Sequence, residues 1–262
     1  LRSKRFGNAW YLYDFNADGH DDLLVAATTA TGAVDQWRVH LASYLSNQWT
    51  FASQASGIAM SVPAGLATNS RLADFTGDGL PDLMVTSGPT ADATPLKIYP
   101  MKRLVADPNG LLYGFDTANS RTVELYKDGI PVNVDLTVNR RRPIDSVDIN
   151  GDGRSDLVLP IQATGTNACS GSPTIDWYVF ASEGPQSASI ERFTSFAYLG
   201  RVGQTPLTGG LRIEPGKTCD GSNSVQLADV NGDSLADLFV RTADKVWKFK
   251  VNVGQGADGA FG

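Results

Sequence analysis

The sequence predicts an all-β fold, and three observations carry that prediction. An acidic nine-residue segment recurs four times along the 262 residues. Short apolar or β-branched runs flank it, as strands do. The 27 glycines and 13 prolines give a turn-rich composition. Apolar residues make up 42% of the chain and charged residues 19%, enough for a core and against long disorder. No apolar run reaches the ~18 residues of a membrane-spanning helix.

Taken in order, the first segment is Asp14-Phe15-Asn16-Ala17-Asp18-Gly19-His20-Asp21-Asp22, followed by Leu23-Leu24-Val25. The second is Asp74-Phe75-Thr76-Gly77-Asp78-Gly79-Leu80-Pro81-Asp82, followed by Leu83-Met84-Val85. The third is Asp148-Ile149-Asn150-Gly151-Asp152-Gly153-Arg154-Ser155-Asp156, followed by Leu157-Val158-Leu159. The fourth is Asp229-Val230-Asn231-Gly232-Asp233-Ser234-Leu235-Ala236-Asp237, followed by Leu238-Phe239-Val240. The first Asp recurs after 60, 74 and 81 residues, and the two longer intervals predict insertions or larger units. Strands are expected before the loops, as in Trp10–Tyr13 and Val225–Ala228. They are expected again after them, at Leu23–Ala27, Leu83–Thr86, Leu157–Pro160 and Leu238–Arg241. Strand, nine-residue turn, strand is a β-hairpin.

The spacing has a chemical reading. Positions 1, 3, 5 and 9 carry side-chain oxygens, and position 6 is glycine in three of the four segments. A calcium loop takes side-chain oxygens from positions 1, 3 and 5 and a backbone carbonyl from position 7. The candidate ligands are therefore Asp14, Asn16, Asp18, His20 and Asp22; Asp74, Thr76, Asp78, Leu80 and Asp82; Asp148, Asn150, Asp152, Arg154 and Asp156; and Asp229, Asn231, Asp233, Leu235 and Asp237. The variety at position 7 (His20, Leu80, Arg154, Leu235) suits a backbone donor. The segments are not EF-hands, because position 12 is Val25, Val85, Leu159 and Val240 where that motif needs a bidentate Glu. Plain Asp-Gly turns would not need three clustered carboxylates, which repel one another without a cation. About four Ca²⁺ per chain are expected. Ser234 makes the fourth site the weakest, since a non-glycine residue there has to take an uncommon backbone angle.

These segments resemble the FG-GAP or VCBS repeat, the calcium-binding blade of integrin-α-like β-propellers. The D-x-[N/T]-x-D-G-x-x-D-L core is well kept, and Phe6-Gly7 and Phe261-Gly262 are worn remnants of the rest. The resemblance implies a single β-propeller domain or segment with blades over about 8–67, 68–141, 142–222 and 223–262, calcium stiffening one rim. Propellers of this type often have seven blades, so either a small ring or part of a larger propeller is implied. Within the resemblance, the chain is similar to the B component of insecticidal toxin complexes and to Rhs-type secreted proteins. That likeness implies a docking or scaffold role with a protein partner or a larger parent protein. The alternatives are a carbohydrate-binding propeller lectin and a polysaccharide-active enzyme.

The net charge of −6 argues against a broad nucleic-acid or anionic-membrane surface. Four calcium ions would carry it to about +2. Free calcium at about 100 times each dissociation constant would stabilise the fold by roughly 2.7 kcal/mol per site. Cys169 and Cys219, the only cysteines, are expected to form one disulfide closing about 50 residues, worth about 4 kcal/mol. Calcium and a disulfide together favour a secreted or cell-surface location, and the lack of an N-x-[ST] sequon agrees with a bacterial source. The chain opens on Leu1 with Arg2, Lys4 and Arg5 but no following apolar stretch, so it reads as an excised piece of something longer.

No catalytic set is expected. His40 lacks a Ser-His-Asp context, and Gly254-x-Gly256-x-x-Gly259 lacks the helix that a dinucleotide site needs. Arg140-Arg141-Arg142 reads as a solvated strand entry, with an acidic-partner contact as the other reading. Most of Trp10, Trp37, Trp49, Trp177 and Trp247 are expected in the core, an exposed one being suited to stack on sugar. Residues Ser87 to Pro95 and Ala163 to Thr174 are turn-rich and placed for binding.

Overall fold

Each acidic loop that lies within one compact unit joins two antiparallel strands in the same register. Tyr13 pairs with Asp22, Val147 with Asp156 and Ala228 with Asp237. The second strand thus begins on the ninth loop residue, one residue before the leucine that the apolar run suggests. The structure is a computed structural model, described over residues 10–28, 34–52, 57–63, 70–86, 96–105, 107–132, 145–162, 175–204, 210–215, 224–233 and 235–253. Among these residues every regular element is a β-strand. The chain forms two compact units whose boundary falls inside the second repeat. Residues 73–79 and those from 123 onward belong to the second unit.

The first unit holds strands β1 (Trp10–Tyr13), β2 (Asp22–Thr28), β3 (Val34–His40), β4 (Ala42–Leu45), β5 (Gln48–Phe51) and β6 (Ile58–Pro63), then all but the last residue of β7 (Arg71–Ala73), and β8 (Asp82–Thr86), β9 (Leu96–Tyr99), β10 (Met101–Arg103) and β11 (Tyr113–Phe115). The first repeat is an antiparallel meander, β1-β2-β3-β6. The second runs β7-β8-β9, and the first two residues of β12 (Arg121–Lys127) pair onto β9. In both repeats a small hairpin, β4-β5 or β10-β11, is inserted between the third and fourth strands. An insertion therefore occurs even in the shortest interval. Pleating puts alternate residues on opposite faces. One face of the first sheet (Leu24, Ala26, Trp37, Val39) buries itself against Leu83 and Val85 of the second, with Tyr11, Phe15 and Phe115 filling the rest of the core.

The second unit takes the remainder of β12, which turns through Asp128-Gly129 into β13 (Ile130–Pro131). Both turn residues have positive φ, as a two-residue hairpin turn requires. Then come β14 (Asp145–Val147), β15 (Asp156–Gln162), β16 (Ile175–Ser187), β17 (Ile190–Val202), β18 (Leu211–Ile213), β19 (Val225–Ala228), β20 (Asp237–Arg241) and β21 (Trp247–Lys250). The third repeat is the meander β14-β15-β16-β17, its last two strands long and bulged, with β18 added parallel to β17. Those long strands and β18 account for part of the wider third interval. The fourth repeat has three strands among the described residues, β19-β20-β21. Val158, Trp177 and Val179 of the third sheet pack with Val225, Leu238 and Val240 of the fourth.

Two tryptophans depart from the expected core placement. Trp37 and Trp177 are buried, but Trp49 and Trp247 are exposed. Cys169, Cys219, Arg140–Arg142, Ser234, Phe6-Gly7, the 254–259 glycines and the segments 87–95 and 163–174 lie outside the described residues.

Candidate functional site

Each loop is wound around the carboxylate of its first residue. Asp14 accepts hydrogen bonds from the N–H groups of Asp18 and Gly19 at 3.1 and 2.8 Å. Asp74 accepts from Gly77, Asp78 and Gly79, and Asp148 from Gly151 and Gly153. Asp229 accepts from Gly232 at 2.7 Å. The third residue continues the winding. Asn16, Asn150 and Asn231 each accept from the N–H of the fifth residue at 3.0 Å and donate their amide to its carboxylate. The fifth carboxylate in turn accepts from the seventh N–H, at His20, Arg154 and Leu235. Short polar side chains favour such local bonds to the backbone ahead of them.

This winding needs a left-handed residue at position 4, which the sequence reading did not single out. Ala17, Gly77, Gly151 and Gly232 have φ of 58°, 75°, 77° and 80°. The signal is in the sequence, since three of the four are glycine. Position 6 behaves as expected at Gly19, Gly79 and Gly153, all with positive φ.

The ninth residue has a structural role beyond the expected one. Asp22, Asp82, Asp156 and Asp237 are fully buried. One carboxylate oxygen of Asp22, Asp156 and Asp237 accepts from the N–H of loop position 2, at Phe15, Ile149 and Val230. The other accepts from a backbone N–H further along the repeat: Ala42, Ser182 and Asn252 respectively. Asp82 makes the corresponding bond to Met101. Each ninth Asp thereby clips its hairpin to a backbone N–H on or just past the third strand of its repeat. Burial raises the Asp22 carboxyl above the usual carboxylate range, and at Asp156 it pushes the value up to about 6 against those hydrogen bonds.

The seventh side chains pack on the protein. The His20 ring meets Trp49 at 4.5 Å, and Leu80 packs on the first core. The Arg154 side chain crosses Gly77 and Gly184, so tightly that a Cβ on Gly184 would strike the guanidinium. The Ser155 N–H also bonds the Asp74 carbonyl at 2.6 Å, and Leu235 lies by Gly151. The seventh residue of the third and fourth loops thus rests on the fourth residue of the loop before it.

The donor set is all oxygen, which suits a hard cation such as Ca²⁺. Among the described residues no three His, Cys, Asp or Glu side chains form a group placed around a metal ion. The clip explains this, because the ninth carboxylate turns to backbone N–H groups and leaves two carboxylates, a side-chain amide or hydroxyl and a carbonyl at each tip. Both oxygens of Asp14 and of Asp148 keep a second lone pair beyond these bonds, whereas one oxygen of Asp74 already accepts from both Gly77 and Asp78.

A family model described as FG-GAP-like repeat matches residues 14–85. Over these residues the chain is similar to an FG-GAP-like repeat. The match runs from position 1 of the first loop to position 12 of the second, one full period and the start of the next. The third and fourth loops lie outside it and share its winding, with the first carboxylate bonding the position-4 N–H as in the second loop and the position-3 Asn bonding position 5 as in the first. The antiparallel meanders agree with blades of a β-propeller segment. No curated protein matches the chain.

Proposed function

We propose that the chain is a calcium-ordered β-propeller segment that serves as a protein-binding scaffold within a larger protein, acting outside the cytoplasm and carrying no catalytic site. The observation that supports this reading is the repeated wound loop, in which the first residue's carboxylate bonds the turn in all four repeats and the position-3 Asn bonds position 5 in the first, third and fourth. Asp14, Asn16 and Asp18 would hold one ion, with the His20 carbonyl and a remaining Asp22 lone pair. Asp74, Thr76, Asp78, Leu80 and Asp82 would hold a second. Asp148, Asn150, Asp152, Arg154 and Asp156 would hold a third, and Asp229, Asn231, Asp233, Leu235 and Asp237 a fourth. The bound ion would neutralise each acidic cluster and stiffen the tip. An FG-GAP-like repeat supports a protein-interaction role and an extracellular or surface setting. Thermal melting with calcium and with chelator, alongside metal counting by elemental analysis, tests the reading. About four calcium per chain and a large drop in Tm on chelation are expected. Bound metal near zero with an unchanged Tm would overturn it.

One observation favours a second reading, a neutral glycan as partner. The β4-β5 hairpin turns through Ser46 and Asn47, both at positive φ, and carries no charge from Ala42 to Phe51. Its Tyr44 and Trp49 rings stand exposed 5.0 Å apart, a surface on which a sugar face stacks. Retention on a glycan array that disappears in Trp49→Ala would select this reading over a protein partner.

A further inference from the structure

We infer that His20, at the seventh position of the first acidic loop, is a sugar-binding residue, and that with Tyr44, Trp49 and Phe51 of the β4-β5 hairpin it forms a stacking site for a neutral pyranose. The inference rests on the glycan reading above and deepens it, adding a polar residue from a second segment to the aromatic surface. The metal role proposed for His20 uses its carbonyl and leaves the ring available.

Tyr44 pairs with Trp49 and Ala42 with Phe51, so pleating puts the three aromatic rings on one face of the hairpin. All three are exposed. The hairpin inserted in the second repeat is used differently. Its Met101 and Phe115 pair and are buried, and its Lys102 bonds Asp116 at 3.1 Å. Of the two inserted hairpins, the first alone presents an exposed aromatic face, the kind of surface that marks an interaction site.

The first acidic loop holds this hairpin at two points. Asp22 accepts from the N–H of Ala42 at 2.7 Å, where the hairpin begins. His20 sets its ring edgewise against Trp49, with centroids 4.5 Å apart and planes at 65°. The other seventh side chains go elsewhere: Leu80 to the first core, Arg154 across Gly77 and Gly184, Leu235 to Gly151. His20 is exposed, yet its backbone is fixed by the bond from its N–H to Asp18 at 2.9 Å and its ring by Trp49. A side chain set in place beforehand loses little freedom on binding.

The polar groups on this face select the ligand. Among the described residues, the His20 ring nitrogens, the Tyr44 hydroxyl and the Trp49 Nε1 have no hydrogen-bond partner. An apolar protein segment laid over them would cover them without satisfying them. A pyranose meets both needs. Its C–H face stacks on an aromatic ring, and the hydroxyls at its rim donate and accept as imidazole and phenol do. The hairpin carries no charge from Ala42 to Phe51, and Asp18 and Asp21 stand in the adjoining loop, so an acidic sugar is disfavoured.

An array of immobilised neutral and uronic-acid oligosaccharides tests this, read for the unaltered chain and for Trp49→Ala, His20→Ala and His20→Phe. The unaltered chain is expected to be retained by neutral glycans and displaced by the same oligosaccharide in free form, and Trp49→Ala to lose retention. His20→Phe keeps the ring against Trp49 but removes its nitrogens. It is expected to bind about fivefold more weakly, the worth of one hydrogen bond, and His20→Ala more weakly still. Each variant is expected to keep the Tm of the unaltered chain, which separates a lost contact from a lost fold. No retention of the unaltered chain on any neutral glycan overturns the glycan reading and this inference with it. Retention that Trp49→Ala abolishes but both His20 variants leave at full strength overturns this inference alone. Stronger retention on the uronic-acid set overturns the choice of a neutral sugar. Should an alanine variant fail to fold, His20→Phe against the unaltered chain still decides the role of His20.

Discussion

Asp156 accepts a hydrogen bond from the backbone N–H of Ser182, 26 residues further along, while its other oxygen holds Ile149 within the loop. A fully buried carboxylate thus bonds three parts of one repeat together. Replacing it with Ala leaves two buried N–H groups without their acceptor, a loss of about 2–4 kcal/mol. Asn keeps one acceptor and turns a donor toward the other N–H, so Asp156→Asn is expected to cost about 1–3 kcal/mol. Urea unfolding of the two variants measures both, and a change under about 0.5 kcal/mol, the usual range for a surface site, would deny the clip any energetic role.

The same residue gives a pH dependence in the calcium-free protein. Burial holds the Asp156 carboxyl at about 6 when folded, against an ordinary 3.8. A raised acid binds its proton more tightly in the folded chain. Its penalty is therefore absent below about pH 4, grows as pH rises and is complete above about pH 6, amounting to ~3 kcal/mol. In chelator, the stability of the unaltered chain relative to Asp156→Asn should fall across that window as pH rises. A flat difference from pH 4 to 7 would mean that Asp156 ionises freely.

Ala17 does at φ 58° what glycine does in the other three loops. The left-handed region costs a residue with a Cβ about 1–2 kcal/mol, and glycine returns ~0.4–1 kcal/mol of that through the unfolded chain. Ala17→Gly is expected to raise stability by about 0.5 kcal/mol, and Gly151→Ala to lower it by a similar amount. Equal Tm values for the unaltered chain and both variants would contradict the strain.

Much of this was legible in the sequence, and the limits have physical causes. The strands Trp10–Tyr13 and Val225–Ala228 follow from short apolar and β-branched runs abutting a loop, because a run ending on a fixed turn has only one register. The oxygens of positions 1, 3 and 5 follow from spacing alone. The clip did not, since an Asp that binds N–H groups across the repeat is spelled like one that binds an ion, and only its burial separates the two roles. The third strands carry no motif, so the correspondence of Trp37, Trp177 and Trp247, each opposite loop position 13 of its repeat, emerges only through pairing. The β4-β5 hairpin escaped notice because its aromatics, taken alone, read as core.

Gly184 sits at a bulge where β16 shifts register against β17, with φ 75° and the Arg154 guanidinium directly over it. A side chain there meets both a backbone angle suited to glycine and a filled space. Gly184→Ala is expected to cost about 1–2 kcal/mol from the angle alone. The double variant with Arg154→Ala should recover the steric part but not the angular part. A double-mutant cycle checks this, and strict additivity of the two changes would show that Arg154 does not occupy that space in solution.

The four proposed calcium sites make a graded prediction. The loops share one winding pattern but not one composition. Position 3 is Thr76 in the second and Asn in the others, and position 6 is Ser234 in the fourth. Replacing the fifth residue by Ala, one loop at a time (Asp18, Asp78, Asp152 or Asp233), removes a carboxylate from the tip and leaves the ninth-residue clip intact. Each variant is expected to bind one calcium fewer by elemental analysis and to lose up to roughly 2.7 kcal/mol of calcium-dependent stability, measured as the difference between melts with calcium and with chelator. In chelator each should match the unaltered chain to within about 1 kcal/mol, the net worth of the fifth residue's local hydrogen bonds. Asp233→Ala should lose least, because Ser234 leaves its site the weakest to begin with. A variant that loses as much stability in chelator as in calcium would show that the fifth carboxylate serves the turn rather than the ion.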